Sequence, residues 1–158
     1  MPKTPKSSEN FSSIFQNRII FILDDLGMNQ KQFATFVKVS QPVINRAVKY
    51  GIIPSTRILI KIANALNHPL AYLLGETDKK DFYMSDNPST FHLRIEELKI
   101  EKNVKYSQIA QKINISKDYF YEWQRLKTLP SIDYLKEIAK YFNVSLDYLT
   151  GRTDDRVN

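Results

Sequence analysis

Apolar residues along this chain recur at intervals of three and four in short bursts, and each burst is closed by a polar cluster, a proline or a glycine. In the second half Ile95 and Leu98 form one burst, running to about Lys102, and Ile109, Ala110 and Ile113 form the next. Phe120 and Trp123 follow, then Leu135, Ile138, Ala139 and Phe142, and last Leu146 and Leu149. Such spacing lays one apolar stripe along a helix, so the pattern predicts short helices joined by tight turns and an all-α fold. Ser89 or Thr90 stands where the first helix needs an N-cap, Ser116 stands before the third, and Pro130-Ser131 breaks the chain and opens the fourth. Gly151 suits the position just past the last turn. The first half repeats the pattern with Ile44, Leu59, Ile62, Ala63, Leu66, Leu70, Leu73 and Gly75.

The repetition is literal. NHPLAYLLGETD at 67–78 returns as NVSLDYLTGRTD at 143–154, and sliding the chain by about 76 positions aligns 18–78 with 94–154 without a gap. About 17 of the 61 pairs are identical, among them Arg18 with Arg94, Gln32 with Gln108, Ala34 with Ala110, Ser40 with Ser116, and Pro54-Ser55 with Pro130-Ser131. A period this long exceeds that of solenoid repeats, so each copy is expected to be a domain with its own core. The expected organisation is a disordered N-terminal arm at 1–10, a first domain at 11–78, a linker at 79–91, a second domain at 92–154 and a tail at 155–158. The Leu, Tyr, Leu and Gly of the doubled ending are expected to close each bundle.

Composition narrows the class. The 158 residues are 42% hydrophobic and 25% charged, which suits two small helical domains with packed cores. There is no cysteine, hence no disulfide and no thiolate metal site, and the longest apolar run, Ile19 to Leu23, is far short of the roughly 20 residues of a membrane span. A cytoplasmic protein is expected. The net charge of +6 admits a polyanionic partner. His68 and His92 lie in unrelated places, and the pairs Asp24-Asp25 and Glu96-Glu97 look like helix-surface charges, so no catalytic, metal or cofactor site is expected.

The stretch SQIAQKINISKDYFYEW at 107–123 resembles the helix-turn-helix of the phage repressor and Cro (XRE-type) family. Its marks are Ala110, Ser116, Phe120, Trp123 and Pro130, met again by Ala34, Ser40, Ile44 and Pro54. A small residue lets two helices cross closely, and a capping serine starts the second one sharply. The resemblance implies two tandem lambda-repressor-like domains of about five short helices each, whose third helices enter the major groove of double-stranded DNA.

In the first copy that helix begins Gln41-Pro42-Val43-Ile44-Asn45-Arg46 and runs to Lys49. Gln41, Asn45 and Arg46 are expected outward, carrying donors and acceptors for adenine and guanine edges, with Pro42 against a thymine methyl and Lys49 near phosphate. Gln30 resembles the family glutamine that braces the first glutamine of the reading helix and contacts phosphate. In the second copy, spanning Lys117 to Arg125, Ser116, Lys117, Tyr121 and Arg125 are the candidates, and Tyr106 replaces Gln30. Asp118 and Glu122 would face the phosphate backbone unless they accept from cytosine, so this helix either reads bases, touches phosphate nonspecifically, or faces a protein. Both copies depart from the family where a glycine usually follows the reading helix: Tyr50 and Leu126 stand there, with Gly51 one residue late in the first copy.

The copies differ in surface too. Ile20, Phe21 and Leu23 stand opposite Glu96, Glu97 and Lys99, and Phe36 opposite Lys112. With Phe11 and Phe15 extending it backward, the first helix is expected to be apolar nearly all round and covered by the second domain, a second chain or the N-terminal arm, so Phe15, Ile20, Phe21, Leu23 and Phe36 are candidates for an interface. A link of about 13 residues reaches roughly 43 Å, more than the about 34 Å between successive major-groove faces. The expected function is a sequence-specific transcriptional regulator, acting as a repressor, with no small-molecule effector domain. The alternative is a protein-interaction module of the antitoxin or anti-repressor type.

Overall fold

The computed structural model describes residues 10–157, which form ten helices and divide into two units between Phe82 and Tyr83. In the first unit α1 is Ser13–Leu26, α2 Gln30–Val37, α3 Gln41–Tyr50, α4 Thr56–Leu66 and α5 Leu70–Leu73. In the second, α6 is Phe91–Lys102, α7 Tyr106–Ile113, α8 Asp118–Leu126, α9 Ile132–Phe142 and α10 Leu146–Leu149. Among the described residues there is no strand, only an isolated antiparallel bridge between Phe11 and Ile52.

The helix boundaries follow from local chemistry. Ser12, Ser55, Thr90, Ser131 and Ser145 each accept a backbone N–H of the helix they precede, caps worth about 1 kcal/mol apiece. Each helix of eight or more residues ends in a left-handed residue, which lets the next amides turn back onto the helix's last free carbonyls. Gly27, Gly51, Asn67, Asn103, Asn114 and Asn143 fill most of these places; Lys38 and Lys127 are the side chains that bear the strain.

Each unit buries one core. Phe15, Ile19, Phe33, Ile44, Leu59, Ile62, Leu70 and Leu73 fill the first, where α3 packs on α1 and α2, and α4 on α2 and α5. Phe91, Ile95, Leu98, Ile109, Phe120, Leu135, Ile138 and Leu149 fill the second. Ala34 and Ala110 are buried where the small side chain permits close helix crossing. The doubled ending also closes a clasp. Arg18 lies over the Tyr72 ring at 4.1 Å and donates to the Tyr72 and Thr77 carbonyls and to Asp78. Arg94 does the same over Tyr148 at 4.0 Å, donating to the Thr153 carbonyl and Asp154. The paired Arg, Tyr and Thr-Asp of the two copies are thus one device that fastens the first helix to the last turn, used twice.

Two expectations about α1 change, and the segments on either side of the second bundle prove to be bound to it. Phe15 and Leu23 point into the core, because positions 15, 19, 22 and 23 form the buried stripe of α1. Phe11 lies before α1, not in it: Ser12 caps the helix, and Phe11 bridges to Ile52. The stretch expected as linker is bound to the second unit from Tyr83 on, since Ser85 N donates to Arg152 O, Ser89 N to Gly151 O, and Thr153 Oγ1 to Tyr83 O, while Phe91 belongs to α6. The tail is held as well: Ser145 N donates to Arg156 O, and Arg156 pairs with Glu101, whose carboxyl is held below its ordinary range by that guanidinium. The expected disordered arm lies outside the described residues apart from Asn10, whose carbonyl accepts from Ile53 N.

Candidate nucleic-acid interface

Helices α2 and α3 are joined by three residues, Lys38-Val39-Ser40, and α7 and α8 by Asn114 to Lys117. Val39 N returns to Ala34 O, and Ile115 N to Ala110 O, both at 3.0 Å, so each turn is locked by the same backbone bond. Burial of Ile44 and Ala47 on α3, and of Phe120 and Trp123 on α8, fixes which face of each helix points away from the core.

On α3 the exposed residues are Gln41, Pro42, Arg46, Lys49 and Tyr50, and no carboxylate lies on the helix. Pro42 sits in the first turn, where a missing N–H costs no helical bond. Ser40 does not cap α3 with its side chain, contrary to expectation. Pro42 offers no N–H and Val43 N bonds the Ser40 carbonyl instead, so the hydroxyl stays at the exposed surface. Asn45 is only half exposed, with its Oδ1 enclosed and lacking a partner among the described residues, so it is less outward than its place on the helix predicted. Gln30, half-buried, opens α2 beside a full capping box in which Asn29 and Gln32 exchange side-chain and backbone bonds at 2.8 and 2.9 Å. The doubled Gln32 and Gln108 thereby find a structural use, since Gln108 also accepts from Lys105 N.

The second unit is built differently at the same surface. Asp118 N donates to Ser116 Oγ, so this serine does serve the start of α8, and Lys117 occupies the cap position. Asp118, Tyr121, Glu122 and Arg125 are exposed along the helix, mixing both signs of charge. Tyr106, in the place of Gln30, is buried: it stacks on Phe120 at 4.9 Å, lies 3.7 Å beneath Lys99 Nζ, and its hydroxyl donates to Glu96 and accepts from Gln124. Burial and the Glu96 carboxylate push its phenol well above the ordinary tyrosine range. Glu96, half-buried in this cluster, is therefore part of the packing rather than the surface charge it was expected to be.

Of the expected interface residues that stay exposed, Ile20 and Phe21 are adjacent on α1 and so project about 100° apart. Phe21 lines a shallow cleft with Arg18, Tyr72, Asp78 and Lys80, and Phe36 is exposed on α2. No helix of the described residues is long and apolar enough to cross a membrane.

A short capped helix, a locked turn and a second helix with one buried and one open face define a helix-turn-helix, present once in each unit. A family model described as helix-turn-helix matches residues 21–73 and 95–149, together more than half of the chain, and the chain belongs to that family, of the repressor and Cro type. The chain is 30% identical over 59 residues to the HTH-type transcriptional activator BcrR of Enterococcus faecalis, covering 37% of this chain and 29% of that one. It is 32% identical over 62 residues to the uncharacterized HTH-type transcriptional regulator YobD of Bacillus subtilis, covering 39% of this chain and 55% of that one. The matched part thus spans about a third to about half of these relatives. No solved structure matches the chain.

Proposed function

We propose that the protein is a sequence-specific DNA-binding transcriptional regulator in which α3 enters the major groove. The observation that carries this reading is the open face of α3: Gln41, Arg46 and Lys49 exposed in one short helix without an acid among them. Gln41 and Arg46 supply the donor geometry for adenine and guanine edges, Pro42 an apolar contact for a thymine methyl, and Ser40, Lys49 and Gln30 hold phosphate. Asn45 contributes at most through the exposed part of its side chain. In the second unit Lys117, Arg125 and Ser116 add phosphate contacts, with Tyr121 against the sugar edge, while Asp118 and Glu122 oppose base reading. The relatives' names, one a transcriptional activator and one a transcriptional regulator, agree in the class of function. Repression by occupying an operator requires no surface beyond these.

The test is selection from a random duplex pool, followed by a salt series on the selected duplex. We expect enrichment of one sequence and affinity that falls steeply, with a log-log slope of about 0.9 per phosphate contacted. No enriched sequence together with a flat salt response would leave the protein-interaction module as the better account. We further infer self-association through exposed Ile20, Phe21 and Phe36, which brings two α3 helices to one duplex. Sedimentation equilibrium is expected to show a dimer, and a monomer at every concentration removes this part of the proposal.

A further inference from the structure

The end of α3 opposite Gln41 is held by the segment that leads into α1. Gly51 N and Ile52 N return to the Ala47 and Arg46 carbonyls at 3.0 and 3.3 Å, and Gln16 Nε2 donates to both the Val48 and Lys49 carbonyls at 3.0 Å. One side-chain amide thus occupies two of the carbonyls that every helix end leaves without an intrahelical partner. Ser12 N donates to Gly51 O at 2.9 Å, and Ile53 N to Asn10 O at 2.8 Å. The fit is close: a Cβ on Gly51 would meet Ser12 O at 2.6 Å and Gln16 Cβ at 3.1 Å.

The second unit holds the same place by other contacts, among them Gln124 Nε2 donating to the His92 carbonyl at 2.8 Å. Pro88 stands where Ser12 donates and has no N–H, Lys127 stands in place of Gly51, and His92, in place of Gln16, puts its Nε2 on the Thr128 carbonyl. A side-chain amide set on two carbonyls of the third helix itself therefore accompanies the helix whose open face carries Gln41 and Arg46.

We infer that Gln16 is a positioning residue for sequence recognition: by holding the last turn of α3 it fixes the angle at which the first turns meet the bases. This rests on the DNA-reading function proposed above. From Lys49 back to Gln41 the helix runs about 12 Å, so a tilt of about 10° at the held end displaces the Gln41 end by roughly 2 Å. A hydrogen bond to a base edge does not survive that displacement, whereas attraction between a lysine and a phosphate falls off slowly with distance. The clamp thus acts on specificity and leaves nonspecific affinity alone.

The experiment compares the wild-type chain with Gln16→Met, which keeps the length but loses the donor, and Gln16→Lys, which restores a donor that reaches the carbonyls. Affinity is measured for the selected duplex and for a scrambled one, beside the thermal midpoint of each protein. Gln16→Met is expected to lower the ratio of selected to scrambled affinity roughly tenfold, the size of one lost base contact, with scrambled affinity unchanged and Gln16→Lys recovering most of the ratio. An unchanged ratio in Gln16→Met overturns the inference. So does equal loss on both duplexes in Met and Lys variants alike, the mark of a purely structural role. If the wild-type chain itself prefers no duplex, it is the DNA-reading function that fails, a result separate from either.

Discussion

In the first unit the segment before the bundle is stitched to the end of α3; in the second it is stitched to the loop after α10, through Ser85, Ser89 and Thr153. The same five-helix scaffold has thus been given two different attachments, and the surfaces differ in the same direction. The exposed charges of α3 are Arg46 and Lys49, whereas α8 exposes Asp118, Glu122 and Arg125. The core places the helix, and a handful of residues that the core does not constrain decide what that helix presents. The second unit has instead invested polar groups inside itself. Asp147, fully buried, is paired with buried Arg152, where the first unit has Ala71 and exposed Glu76.

That buried pair offers the largest perturbation. Burial pushes the Arg152 guanidinium below its ordinary value and the Asp147 carboxylate counters this, so losing the carboxylate leaves a desolvated cation. Asp147→Ala is expected to destabilise the second unit by about 3 to 5 kcal/mol, and the double change Asp147→Ala with Arg152→Met to recover most of it. The chain has a single tryptophan, Trp123, buried in the second unit, so a urea titration followed by its fluorescence isolates that unit. A single-variant shift below about 1 kcal/mol would place the pair among surface ion pairs in energy.

The next perturbation compares the third helices of the two units at one register position, for Arg46 of α3 corresponds to Glu122 of α8. Arg46→Ala is expected to cost about 1 to 3 kcal/mol on the selected duplex and to relax the sequence preference there. Glu122→Ala is expected to strengthen binding slightly and equally on all duplexes, since under the proposed function it removes an acid from a helix set against phosphate. Equal losses from both, in competition assays, would make the two units equivalent readers and erase the distinction drawn between them.

Much of this architecture was legible in the sequence because it is set by local rules. Three- and four-residue apolar spacing located the helices, serine caps and the Pro-Ser steps located their starts, and the 76-residue repeat located two bundles. What escaped depends on which way a side chain turns or on contacts far apart in sequence. Phe15 and Leu23 were assigned to a surface because an all-apolar helix does not reveal its buried stripe until a partner helix selects one. Asn45 was expected outward from its register alone, and Ser40 was expected to cap although Pro42, two residues on, offers no N–H to receive. The Arg18 and Arg94 clasps were visible as identities in the repeat but had no role until the chain ends met. Gln16 carried no sequence signal, since its partners lie 32 and 33 residues away.

The smallest effect concerns the residue that ends the third helix of each unit, and it has opposite signs in the two units. Gly51 and Lys127 occupy the same place and the same left-handed backbone, at φ 70° and 55°. In the first unit glycine is required twice over: for its φ, and because a Cβ would strike the Ser12 carbonyl, a backbone atom with no freedom to withdraw while it accepts from Gln16 N. Gly51→Ala is therefore expected to cost about 1 to 2 kcal/mol, read as a lower midpoint for the first unit by circular dichroism. In the second unit the lysine side chain already has its space but bears the left-handed strain. Lys127→Gly relieves about 1 kcal/mol of that strain, and the greater freedom of glycine in the unfolded chain takes back part, leaving a gain of about 0.5 kcal/mol in the Trp123 transition. The exposed contact from Lys127 Nζ to Gln124 Oε1, at 3.5 Å, is long for a hydrogen bond. Destabilisation by both substitutions would mean that Lys127 holds the end of α8 through its side chain, in addition to the His92 and Gln124 contacts there.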